Sequence, residues 1–146
     1  INHELGRYML DDNEGIIEVI AGEYHGIKGP AKTFTDINMY NVKLKKGGKA
    51  MLTIPKNHNC SVLLIEGGVC INNSEDLSTN HLALMDNNGE GFMLYATDSD
   101  SVALVISGEP INEPIAAQGP FVMNTREELI QAFEDFQNGK FGTLED

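Results

Sequence analysis

No His-x-His pair and no Cys-x-x-Cys pair occurs in the chain, and its four histidines, His3, His25, His58 and His81, never fall at ligand spacing. A zinc site assembled from local sequence is thereby excluded. Cysteine is limited to Cys60 and Cys70. In the hairpin expected around Gly67-Gly68, Cys70 falls opposite about Ile65 rather than Cys60, so no disulfide is expected, and two free thiols suit a reducing cytosol. No apolar run approaches the ~18 residues of a membrane span. The chain therefore reads as soluble and cytoplasmic. It opens on Ile1 rather than Met, without a secretory leader, and an upstream portion is expected. Basic side chains are also scarce, 10 Lys and Arg against 22 Asp and Glu, for a net charge of -12. Residues 1–73 carry eight of each sign, so the whole excess lies in residues 74–146, where fourteen acidic side chains face only Arg126 and Lys140. Such a surface repels phosphate, which disfavours nucleic acid and anionic membrane as partners.

What is present is a series of short extended segments, enough in 146 residues for one domain with a substantial core. Tyr40, Val42 and Leu44 alternate with Asn41, Lys43 and Lys45, the period of two of a strand with one buried face. Gly47-Gly48 supplies a turn, Ala50–Ile54 a second strand ended by Pro55, and Cys60–Glu66 a third. Val62, Leu63, Leu64 and Ile65 run without alternation, which predicts a strand covered on both faces, turned back by Gly67-Gly68 into Val69–Ile71. The basic cluster Lys43, Lys45, Lys46 and Lys49 reads as a strand edge guarded by lysines. Upstream, residues 1–13 are polar and without a clear period, and Ile16–Ala21 is the first strand. Downstream, His81–Met85, Phe92–Ala96 and Val102–Ile106 are separated by turn clusters, which argues for an antiparallel sandwich or barrel.

The stretch from Gly48 to Gly68 resembles the first motif block of the cupin barrels, in which a Gly, a short strand, a His-x-His pair, a Glu and a closing Gly follow in order. Here the two His positions fall on Ile54 and Lys56 and the carboxylate position near Cys60 or Ser61. Ile offers no lone pair and a Lys ammonium repels a cation, so these positions are not expected to hold a metal. A small ligand in an unmetallated cavity would be lined by Ile54, Lys56, His58 and Cys60, although packing or exposure is the simpler reading of each.

Beyond Ser107 two prolines mark a stiff loop, and the helix signal follows. Thr125 with Glu128 forms a capping box, the pattern predicts a helix over about 126–138, and Gly139 closes it. Leu129, Ile130, Phe133 and Phe136 recur at helical spacing and, with Phe121, are expected to meet the barrel or a neighbouring domain or subunit.

The run Gly108-Glu-Pro-Ile-Asn-Glu-Pro114, then Gly119-Pro-Phe-Val-Met-Asn-Thr-Arg-Glu-Glu128, Asp135-Phe136 and Gly139-Lys-Phe-Gly142 resembles the C-terminal half of the pirin family, and Ile20–Pro30 resembles the entry into it. The resemblance implies an all-β fold, a cupin (RmlC-like jelly-roll) antiparallel β-barrel with one C-terminal α-helix. It divides the chain into an entry segment 1–15 from an absent N-terminal half, a barrel 16–107 and a tail 108–146. It further implies a bicupin whose iron belongs to the N-terminal barrel, with no cofactor in this chain. Two readings of the whole protein stay open: an iron-dependent quercetin dioxygenase that this non-catalytic half supports, or a regulatory module, as in pirin-like transcriptional co-regulators, without turnover. The expected partner is the absent N-terminal cupin domain, with self-association of this half through its apolar surface as a further expectation.

Overall fold

The computed structural model describes residues 5–143, so His3 and the start of the expected entry segment lie outside it. Two units follow each other along the chain, Ile1–Pro110 and Ile111–Asp146. In the first, β1 (Gly6–Met9), β2 (Gly15–Ala21), β3 (Glu23–Tyr24), β4 (Ile27–Lys28), β5 (Ile37–Leu44) and β6 (Lys49–Thr53) are followed by β7 (Asn59–Glu66), β8 (Gly68–Ile71), β9 (Glu75–Ser78), β10 (Leu82–Leu84), β11 (Gly91–Ala96) and β12 (Ser101–Gly108). They form a six-stranded sheet in the order β1-β2-β5-β12-β7-β10 and a four-stranded sheet in the order β6-β11-β8-β9, with β3 and β4 pairing separately. All ladders among these strands are antiparallel. The two sheets share one core, the jelly-roll arrangement expected, but stay open rather than closing into one cylinder.

Alternation builds that core. Ile17 and Val19 on β2, Tyr40, Val42 and Leu44 on β5, Val62 and Leu64 on β7 and Val105 on β12 meet Leu52, Val69, Phe92 and Leu94 from the second sheet, and all are buried. Each such aliphatic side chain contributes ~1.5–3 kcal/mol on burial.

Several expectations change. The Gly-Gly pairs are not hairpin turns: β5 and β7 belong to one sheet and β6 and β8 to the other, so each pair carries the chain across the core. The corners need glycine. Gly47 and Gly67 both sit at φ +77, and a Cβ on Gly48 or Gly67 would lie 2.4 Å from the carbonyl oxygen of Glu14 or Asp100. Cys70 therefore faces Tyr95 and Asp76 across its ladders and not Ile65. On β7, Cys60, Val62 and Leu64 are buried while Ile65 is 43% exposed, so its apolar run marks one covered face and one partly open one. Gly6–Met9, expected to be irregular, pairs with β2 as the sheet's edge. The lysine cluster is not one guarded edge, because Lys43 lies on β5 in the sheet interior, although Lys49 is on the edge strand β6.

The second unit pairs β13 (Ala116–Gln118) with β14 (Phe121–Met123), then forms α1 (Arg126–Gln137). The capping box is present: the Glu128 N–H donates to Thr125 Oγ1 at 3.2 Å and the Thr125 N–H to Glu128 Oε2 at 3.0 Å. The Asn124 N–H, donating to Glu128 Oε2 at 2.9 Å, is the largest influence holding the Glu128 carboxyl below its ordinary range, followed by the Thr125 N–H. Gly139 follows the helix at φ +70. The expected stripe is split. Leu129 and Ala132 are buried, whereas Ile130 and Phe136 are 53% and 63% exposed. Phe121 meets Phe133 edge-on at 4.9 Å.

Candidate functional site

In the cupin frame the chemistry belongs at the barrel mouth, between the end of β6 and the start of β7. A cavity of about 300 Å³ opens there over Ile54, His58, Cys60, Ile71 and Phe92, with a polar rim that includes Asn72 and Asp86. Three of the four candidate lining residues, Ile54, His58 and Cys60, thus come together. Lys56 does not join them: it is exposed and lines a second cavity of about 460 Å³ with Ile54, Tyr24 and Tyr40.

The donor set does not fit iron. Ile54 carries no donor and is 6% exposed, and Lys56 brings a cation. Burial pushes the Cys60 thiol up to about 11, so it stays neutral near pH 7 and is a poor metal ligand. Phe92 adds a ring where a further donor would be needed. Among the described residues, no group of three or more His, Cys, Asp or Glu side chains converges as a metal ion requires.

His58 is, among the described residues, the one buried imidazole, 3% exposed. Its Nδ1 lies 3.2 Å from Ser107 Oγ on β12, and its Nε2 lies 3.5 Å from Asp36 Oδ2 without the alignment of a hydrogen bond. The order Asp36, His58, Ser107 copies the residue types of a hydrolytic relay. Ser107 is only 2% exposed, however, and does not line the cavity, so no substrate reaches its hydroxyl. The array instead ties the segment entering β7 to β12. Nearby, the Tyr40 hydroxyl, pushed up to about 12 chiefly by burial, donates to the Glu23 carbonyl at 2.8 Å, and the Tyr24 hydroxyl donates to the Met51 carbonyl at 3.1 Å. Both phenols are fixed as donors.

Sequence reasoning missed the most heavily partnered carboxylate, Glu18. It points to the outer face of the six-stranded sheet, yet is 3% exposed. Its register neighbours cover it: Arg7 lies opposite on β1 and Asn41 opposite on β5. Lys43 Nζ approaches Oε2 at 2.8 Å, Asn41 Nδ2 donates to the same oxygen at 3.0 Å, and Arg7 Nε lies 3.3 Å from Oε1. The Lys43 hydrogen bond is the largest influence holding this carboxyl below its ordinary range, against the opposing effect of burial. A signal existed, since Glu18 is the lone charge within Ile16–Ala21. Farther along the same face, Val102, Leu104 and Ile106 on β12 are half-buried, and Leu82 and Leu84 on β10, at the opposite edge, are 55% and 79% exposed.

Residues 39–142 match the family model of the pirin C-terminal cupin domain. A Pseudomonas aeruginosa protein whose name assigns it, provisionally, to quercetin 2,3-dioxygenase is 40% identical over 141 residues, covering 97% of this chain and 49% of that protein. Human pirin is 37% identical over 132 residues, covering 86% of this chain and 44% of pirin. A crystal structure of quercetin 2,3-dioxygenase from Acinetobacter baumannii superposes with a TM-score of 0.90 at 39% identity, over 99% of this chain and 50% of that one. The chain spans about half the length of the curated relatives it matches.

Proposed function

The chain belongs to the pirin family, as its C-terminal cupin domain, and on that premise we propose that it is the metal-free supporting half of a two-cupin protein whose chemistry resides in an N-terminal companion. The observation that carries the reading is the mouth, where Ile54, Ile71 and Phe92, which offer no donor, line the cavity with a neutral Cys60 thiol. The companion holds iron and acts as a quercetin-type dioxygenase in the cytoplasm. Its docking surface is the apolar outer face of the six-stranded sheet, which includes the Glu18 cluster; in the second unit, described by itself, Ile130 and Phe136 are exposed apolar side chains. The relatives of about twice this length support the presence of a companion.

Elemental analysis of this chain beside the full-length protein tests the assignment. Stoichiometric iron in the full-length protein and none in this chain is the expected result; stoichiometric metal in this chain overturns it. Aerobic quercetin turnover by the full-length protein, abolished by iron removal, separates the dioxygenase from a regulatory module. Partner capture without turnover favours the module, for which the acidic excess of residues 74–146 would be the recognition surface.

A further inference from the structure

A third cavity, of about 410 Å³, shares no lining residue with the mouth cavity, while Tyr24 and His25 also line the cavity of Ile54 and Lys56. Its walls are aromatic and soft. Tyr8, Tyr24 and His25 form one corner, and Met51 and Met93, on the outward face of the four-stranded sheet, form another. The ring centroids of Tyr8 and Tyr24 are 5.2 Å apart, those of Tyr24 and His25 4.6 Å apart, and His25 stacks on Tyr8 at 4.9 Å.

The chain accepts an unusual backbone to place that imidazole. His25 and Gly26 form the two-residue turn between β3 and β4, with φ of 47 and 81. A turn with positive φ at both positions ordinarily takes Asn, Asp or Gly first. Asp11 and Glu14, which bracket a left-handed turn with Asp12 at φ 52 and Asn13 at φ 58, stand at the rim. Neither carboxylate is in an ion pair among the described residues. Lys49 also lines the cavity, so Asp11, Glu14 and Lys49 together carry one negative unit in excess.

We propose that this cavity is a binding site for a small organic cation of the alkylammonium class. Phenol faces and thioethers solvate a diffuse positive charge that bulk water hydrates weakly, and the two unpaired carboxylates supply the countercharge. An anion would meet both carboxylates and the negative faces of the rings.

Choline is the probe, read by NMR of the 146-residue chain labelled at its methionine methyl groups, of which the sequence has 6. Met51 and Met93 line the cavity, while Met9, Met39, Met85 and Met123 serve as internal references. The expected result is a saturable shift confined to Met51 and Met93, and no such shift with the neutral isostere in which a quaternary carbon replaces nitrogen. Tyr8→Leu weakens binding roughly tenfold while Tyr8→Phe keeps it within about twofold. Because Tyr8 packs against the core, the surface double variant Asp11→Asn/Glu14→Gln provides an arm that leaves the fold intact, and it also weakens choline. Lys49→Gln tightens it. The proposal is overturned if no methyl shifts, if all six shift together, or if the neutral isostere acts as choline does.

Discussion

The barrel mouth and the outer face of the six-stranded sheet differ in where they hold their polar groups. Inside, where a metallated barrel concentrates nitrogen and oxygen donors, Ile54, Ile71 and Phe92 make an apolar floor and Cys60 is held as a neutral thiol. Outside, where a strand's polar residues ordinarily meet water, Glu18 is buried under Arg7, Asn41 and Lys43, on a face that Val102, Leu104 and Ile106 continue two strands away on β12. A buried carboxylate is expensive unless its partners satisfy it. Placing one there ties together the alignment of β1, β2 and β5 on a face otherwise largely apolar.

Lys43→Met strikes this contrast hardest. It leaves Glu18 short of its strongest partner, and because Lys43 is 42% exposed and Arg7 and Asn41 remain, urea denaturation should register a loss of about 1 kcal/mol. An unchanged midpoint would mean that the cluster is only a solvated ion pair.

On the other side of the comparison, Cys60 in the native chain should react with iodoacetamide at pH 8 about 100-fold more slowly than in urea, because little thiolate forms below its pKa of about 11. The native rate should climb steadily toward pH 11. Rapid native alkylation at pH 8 would place a reactive thiol, and with it donor chemistry, back in the mouth.

A smaller effect sharpens the electrostatics. The Glu18 carboxyl titrates below its ordinary value of 4.5 in the folded chain. Its stabilisation is therefore fully present above that value and is lost as pH falls through the lower, folded pKa. The stability gap between wild type and Glu18→Gln should be widest near pH 7 and narrow toward pH 3, as followed by denaturant midpoints. A gap independent of pH would show that packing rather than charge holds the residue. Least of all should move with Lys56→Ala, which removes an exposed side chain at the mouth and should shift stability by no more than about 0.5 kcal/mol. A larger change would give this lysine a structural role at the mouth.

Much of the architecture was legible locally. The period of two in Tyr40–Leu44, the Thr125/Glu128 capping box and Gly139 each announce structure through neighbours within a few positions. The frame from Gly48 to Gly68 and the tail motif led to the fold class. What stayed hidden depended on distant partners. Gly47-Gly48 and Gly67-Gly68 have the chemistry of tight turns, and only the sheet assignment of β6 and β8, set by β11, makes them corners. β1 is four residues long and becomes a strand through its pairing with β2. Glu18 reads as the solvent side of an alternating strand until Lys43 and Asn41 arrive from β5. At the mouth, Ile54, His58 and Cys60 were found from the frame, whereas Ser107 and Asp36, the groups facing His58, come from elsewhere in the chain.

The strand order also dictates a schedule for making the molecule. β1, β2 and β5 draw on residues 6–44 and β7 and β10 on residues 59–84, and these two sets are joined only by β12, residues 101–108. A ribosome emitting the chain from its N-terminus must therefore release two half-sheets whose inner edges, β5 and β7, stay open until the keystone strand emerges. At roughly 5–20 residues per second the interval between β7 and β12 lasts seconds. During it, these edges are the surfaces a chaperone would need to shield. A nascent chain stalled before residue 101 should be prone to aggregate, whereas one stalled after Gly108 has all the strands needed to close the sheet.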